Sequence, residues 1–395
     1  GAPGAGPGTS EGRGAVYVFE RSATAAGAAA GLLAQKSLRR IAVLTDAAGA
    51  NGHRFGHAVA ISADGTRIAV GAPAAGAGLG RAVVFVRSGA AWVDSSSPNI
   101  VLVPSPAAGE TVQRFGESID LDASGNVVVG APRSDRAGAA DAGAAYLFDA
   151  AGVQRAALAA TTPAANDLLG SAVAIDAGLV TVGAPGLGAT AGSNRGGVAT
   201  WTFDGTLATA GPVLVASDAA NNQRFGAALA LSGNLLAIGA PGRSAPRGGG
   251  YVFLRAAGAL TEVARLAPAA DAGVSQAGVS VAVNATTVLL GAPDSSAANA
   301  AGTQVSGAGE VAVFRRFDGN WSGDLAQDAV LALAGANFND NFGRSVAASA
   351  EGVAVGAPLV DVAPIDGPVQ SDYGIVVPYL NVGLFANGFE PPPAP

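Results

Sequence analysis

The chain has 395 residues and a mass of 38.0 kDa, with 49% hydrophobic and only 13% charged residues, a composition that can bury a large core and excludes wholesale disorder. Twenty-two Lys and Arg against 29 Asp and Glu give a formal net charge of −7, and Lys36 is the sole lysine, so no basic stripe exists to neutralise a nucleic-acid backbone. The absence of Cys removes disulfides and thiolate chemistry, and Gly, Pro, Asp or Arg interrupts every apolar run before the roughly 18 residues a membrane span needs.

The tripeptide Gly1-Ala2-Pro3 opens the sequence and returns at Gly71 to Pro73, Gly130 to Pro132, Gly183 to Pro185, Gly239 to Pro241, Gly291 to Pro293 and Gly356 to Pro358. A second marker precedes each of the last six copies: Phe55-Gly56, Phe115-Gly116, Leu169-Gly170, Phe225-Gly226, Ala277-Gly278 and Phe342-Gly343. The spacing of about 50 to 65 residues is near the blade length of a repeat propeller.

The first repeat unit supplies strands at about 14 to 20 and 37 to 44, a third and a fourth strand without an inner pair. From His57 the pattern becomes complete. His57-Ala-Val-Ala-Ile-Ser62 alternates with the period of a strand, Ala63-Asp64-Gly65 makes a turn, and Arg67 to Gly71 returns. Arg81 to Arg87 and Asn99 to Val103 complete four antiparallel strands, ended by Pro104. A glycine followed five residues later by an aromatic marks the third strand, as in Gly80 to Phe85, Gly143 to Phe148, Gly248 to Phe253, Gly309 to Phe314 and Gly374 to Tyr379. Small residues therefore line the inner strands and aromatics fill the widening outer wedge.

The paired markers resemble the FG-GAP repeat of the integrin alpha-chain propeller, and more closely its bacterial relatives; Gly143-Ala-Ala-Tyr-Leu-Phe148 and Phe342-Gly-Arg-Ser-Val-Ala347 carry the likeness. The resemblance implies an all-β propeller over residues 1–380 followed by a Pro-rich tail at 381–395. Seven blades with the first incomplete are expected, with a six-bladed ring as the alternative. It also implies an exported or cell-surface protein without a cofactor, which fits the Ala, Gly, Arg and Val bias of a GC-rich, bacterial coding sequence.

Little in the sequence points to chemistry. Integrin-type blades hold calcium in the inner hairpin, and the nearest approach here is Asp120, Asp122, Ser124 and Asn126, where Val128 occupies the position of the last acidic ligand. No calcium site is expected. The two histidines, His53 and His57, flank the first Phe-Gly, and no nucleophile elbow, metalloprotease helix or phosphate loop occurs, so a non-enzymatic role is expected, the alternative being an accessory or structural propeller of a larger exported protein or enzyme. Strand direction alternates, so the loops before each Phe-Gly and after each Gly-Ala-Pro emerge on one face. They carry Arg54, Arg114, Arg136, Arg195, Arg224, Arg243 and Arg247, the expected contacts to a protein or glycan ligand.

Overall fold

The computed structural model describes residues 1–4, 12–21, 38–188, 192–245, 247–269, 275–298, 302–333, 335–350, 352–360 and 374–380. The Pro-rich tail and parts of the loops at 186–195, 294–306 and 359–372 lie outside these residues. Among them the only helix is a single 3-10 turn, Gly76–Gly78.

Each inner hairpin forms where the alternation and the tight turn place it. Blade one pairs Ala58–Ile61, Arg67–Ala72, Arg81–Val86 and Ile100–Leu102 in that order. Blade two uses Ser118–Leu121, Val127–Ala131, Ala144–Phe148 and Gln154–Leu158. Blade three uses Ala172–Asp176, Leu179–Ala184, Gly197–Phe203 and Ala208–Ala210. Blade four runs from Ala228–Ser232 through Leu235–Gly239 and Gly250–Ala256 to Ala259–Ala267. Gly323–Ala326, from the chain leading to blade five's outer strand, adds a parallel fifth strand to it. Blade five joins Ser280–Val283, Thr287–Ala292, Glu310–Arg315 and Ala329–Ala332, and blade six has Ser345–Ser349, Gly352–Ala357 and Ile375–Leu380.

The structure thus counts six blades, the lower of the two numbers expected, instead of seven. Val16–Arg21 and Leu38–Leu44 form a separate antiparallel ribbon that packs on blade one, placing Val16, Val18, Ala42 and Leu44 against Ile68, Val70, Val83 and Phe85. Successive sheets bury their facing sides in the same way, Tyr146 and Phe148 with Val84 between blades one and two, and Trp201 with Val128 between two and three. Burying a large aromatic on such a face contributes about 1.5 to 3 kcal/mol. No core cluster among the described residues joins blade six to the ribbon.

The markers are the joints between blades. The amide at the Phe position donates to the carbonyl just before the preceding unit's third-strand glycine, from Phe55 to Arg13 through Phe342 to Ala308, at 2.8–3.1 Å in all six cases. The following glycine donates to the glycine carbonyl of its own Gly-Ala-Pro at 2.9–3.0 Å, as Gly170 does to Gly183. That second glycine in turn lies against the next blade. A Cβ on Gly71, Gly130, Gly183, Gly239 or Gly291 would stand 2.0–2.1 Å from the carbonyl oxygen of the next Phe-Gly glycine, so no other residue fits. Leu169 and Ala277 make the same backbone bonds and are 2% and 0% exposed, so the altered first markers leave the joint intact. The prolines Pro73, Pro132, Pro185, Pro293 and Pro358 directly follow the last paired residue of each second strand, and Pro241 comes one residue later, after Gly239 and Ala240, as their absent N–H requires.

Candidate functional site

The residue before each Phe-Gly position has left-handed backbone geometry: Arg54, Arg114, Leu168, Arg224, Gln276 and Asn341, with φ between 45° and 59°. This turn swings the chain so that the following amide reaches the preceding unit. On the loop face Arg54 and Arg224 are exposed, whereas Asn341 turns its amide to the carbonyls of Pro293 and Gly307. The position after each marker opens an innermost strand, and His57 and Glu117 meet across two blades at 3.7 Å. Arg114 Nη1 reaches the same carboxylate at 2.9 Å. Burial opposes ionisation of Glu117, but the nearby His57 together with the hydrogen bond and charge of Arg114 outweighs it and holds the carboxyl down at about 2.

The seven expected arginines divide by burial. Arg136 is buried and its Nη2 lies 2.9 Å from Glu110 Oε2. Arg243 binds Asp218 through Nε and Nη2 at 3.1 Å, donates to the Leu266 carbonyl, and stacks over Tyr251 with its guanidinium 5.2 Å from the ring centroid. The Tyr251 hydroxyl donates to the other Asp218 oxygen, and burial together with this bond pushes the phenol well above its ordinary range. Blade two repeats the arrangement with Tyr146, whose hydroxyl burial pushes up to about 12. There the Tyr146 hydroxyl and Arg136 Nη1 have no hydrogen-bond partner. Arg136 and Arg243 therefore brace the loop face from beneath. Arg195 is half-buried, with Nε bonded to Asn221 Oδ1 at 3.2 Å.

Among the described residues, the following acids of this face are occupied. Asp46 is held by Arg81 at 2.6 Å, Asp141 by Arg133 at 2.7 Å, and Asp294 accepts from Gln276 at 2.7 Å, besides Glu110, Glu117 and Asp218. Arg54, Arg224, Arg247 and Arg344 are exposed and make no side-chain hydrogen bond or ion pair among the described residues. Arg344 was absent from the expected set, although its position directly after Phe342-Gly343 carries the signal that would have found it.

The four residues weighed for calcium do not converge. Asp122 spends Oδ1 on the amides of Ser124 and Asn126 and Oδ2 on the Asn126 side chain, closing its own hairpin. Asp120 instead points at the next blade, accepting from the Ile175 amide at 2.8 Å, and burial pushes its carboxyl up to about 7. No group of three metal-ligating side chains occurs among the described residues. A cavity of about 490 Å³ opens on the opposite, tight-turn face, lined by Ser232, Asn284, Thr286, Phe317 and Ser349. Its Asn284 is committed to the Thr286 and Thr287 amides and the Ser349 carbonyl, which leaves few groups free for a ligand.

The FG-GAP repeat family matches residues 105–148, 212–253 and 325–371, which contain the inner hairpins of blades two, four and six. The chain carries FG-GAP repeats. In each matched segment the first marker is Phe-Gly, whereas blades three and five have Leu169 and Ala277. No curated protein matches the chain. The FG-GAP repeat accounts for the joints between blades, and the arginines of the loop face lie outside its two markers. No helix among the described residues is long and apolar enough to cross a membrane.

Proposed function

We propose that this FG-GAP propeller is a non-enzymatic recognition module, acting outside the cell or at its surface, that binds an acidic protein or glycan on its loop face. One observation carries the reading: the loop-face carboxylates named above are paired internally, while Arg54, Arg224, Arg247 and Arg344 remain exposed and unpaired. A chain with a formal charge of −7 thus presents cations on this face, and guanidinium groups make bidentate, charge-assisted bonds to carboxylates and sulfates. Rigid joints beneath the loops keep the arginines in register, which lowers the entropy lost on binding.

The test is binding to immobilised polygalacturonate and poly-L-glutamate at low salt, with the protein and with a variant combining Arg54→Ser, Arg224→Ser, Arg247→Ser and Arg344→Ser. The variant should bind about tenfold or more weakly and melt at the same temperature, and added salt should erode the difference. Equal binding by the two proteins would overturn the reading.

A further inference from the structure

Blades two and four each bury a third-strand tyrosine beneath an arginine and an acid of the loop face, but the two clusters are wired differently. In blade four one carboxylate serves both partners. Asp218 Oδ2 accepts from Nε and Nη2 of Arg243, and Oδ1 accepts from the Tyr251 hydroxyl. Arg243 Nη1 donates to the Leu266 carbonyl at 3.2 Å, so these donors all end on acceptors supplied by the chain.

In blade two the acid stands elsewhere in the loop: Glu110 comes five residues before Phe115, whereas Asp218 comes seven before Phe225. Glu110 Oε2 lies 2.9 Å from Arg136 Nη2 and accepts from the Ala107 amide at 3.2 Å. Arg136 Nη1 and the Tyr146 hydroxyl are buried without a hydrogen-bond partner among the described residues. Tyr146 is 0% and Arg136 8% exposed, and the Phe115 ring closes edge-on over Tyr146 at 5.8 Å. Arg136 and Ala139 exchange two backbone hydrogen bonds, which fix the loop that carries the guanidinium.

A guanidinium N–H can only donate, and a buried donor is costly to leave unmade, so the two groups call for an acceptor. The surrounding charge favours a negative one: Arg136 draws the Tyr146 hydroxyl toward ionisation more strongly than Glu110 opposes it. A water would bring two hydrogens needing acceptors of their own in the same closed space, whereas a compact anion accepts from both donors and brings none. Burial of both groups excludes anything bulky.

We infer that Arg136 Nη1 and the Tyr146 hydroxyl form a buried binding site for a small monovalent anion of the size of chloride, doing in blade two what Asp218 Oδ1 does in blade four. The ion ties the loop carrying Arg136 to the third strand of its own blade and stabilises the folded state by mass action. The site is separate from the exposed arginines of the recognition face and stands or falls without them.

The test compares melting of the full chain in sodium gluconate and in sodium chloride at equal ionic strength, gluconate being too bulky to enter. Chloride should raise the melting temperature saturably, by about 2 °C or more. Tyr146→Phe removes the hydroxyl and keeps the ring; it should melt at least as high as the unaltered protein in gluconate and lose the chloride-dependent rise. Tyr251→Phe should melt lower in both salts yet keep that rise. Crystals grown in bromide should show an anomalous peak within hydrogen-bonding distance of Tyr146 Oη and Arg136 Nη1. The proposal is overturned if melting is the same in the two salts, if Tyr146→Phe keeps the rise, or if the site holds only water. A bromide peak without the saturable rise would mean an adventitious ion only, and would overturn it as well.

Discussion

Blade two and the N-terminal ribbon carry nearly the same third strand, Gly143-Ala-Ala-Tyr-Leu-Phe148 and Gly14-Ala-Val-Tyr-Val-Phe19, yet Tyr146 is fully buried and Tyr17 is 38% exposed. The difference lies in what stands beside them. Tyr146 receives the Phe115 ring from its own inner hairpin, whereas the ribbon contains only a third and a fourth strand. A repeat sequence therefore specifies a joint, and the joint stabilises only when both neighbours contribute. A similar contrast separates the loop-face arginines: Arg136 and Arg243, within a Tyr and acid cluster, are structural, Arg114 and Arg195 bond to Glu117 and Asn221, and Arg54, Arg224 and Arg247 make no side-chain bond among the described residues.

The largest effect expected is at a middle joint. Gly183→Ala would place a Cβ 2.0 Å from the Gly226 carbonyl and should cost more than about 3 kcal/mol in urea unfolding. Gly356→Ala meets only a serine side chain that can rotate, and should cost under about 1 kcal/mol. Equal losses would remove the distinction between middle and end.

Phe225→Ala empties the space between Tyr251 and Phe253 and should destabilise by about 3 to 5 kcal/mol, against less than about 1 kcal/mol for the half-exposed Phe19. Arg243→Ser leaves the Asp218 carboxylate without its cation and should cost about 2 to 4 kcal/mol, while Arg224→Ser should stay within about 0.5 kcal/mol.

The smallest effects are those of pH. The Asp120 carboxyl, raised to about 7 in the folded protein, contributes stability that is fully present below about pH 4 and is lost as pH rises toward 7. Glu117, lowered to about 2, does the opposite: its contribution is present above about pH 4.5 and disappears as pH falls toward 2. Urea midpoints measured across this range should show Asp120→Asn flattening the decline above pH 4 and Glu117→Gln flattening the loss below it.

The inner hairpins and the third-strand aromatics were legible because period-two alternation and tight-turn residues are local signals, and the markers recur at every joint. The left-handed turn before each marker was not, since Arg54, Leu168, Gln276 and Asn341 share a backbone conformation and no side-chain chemistry. The pairing of Arg136 with Glu110 and of Arg243 with Asp218 was hidden for another reason: each acid lies in the loop on the far side of the Phe-Gly marker, brought close only by the joint. Nor does Gly323-Asp-Leu-Ala326 carry a pattern that would send it to blade four's outer edge.

The claim that recognition resides on the loop face is tested most directly by a hydrogen-exchange footprint of the protein with polygalacturonate, at low and at physiological salt. The account predicts protection confined to 52–57, 221–227, 243–249 and 341–345, fading as salt rises. Protection at the tight turns 63–66 and 123–126, or at 284–287 beside the tight-turn cavity, would contradict it.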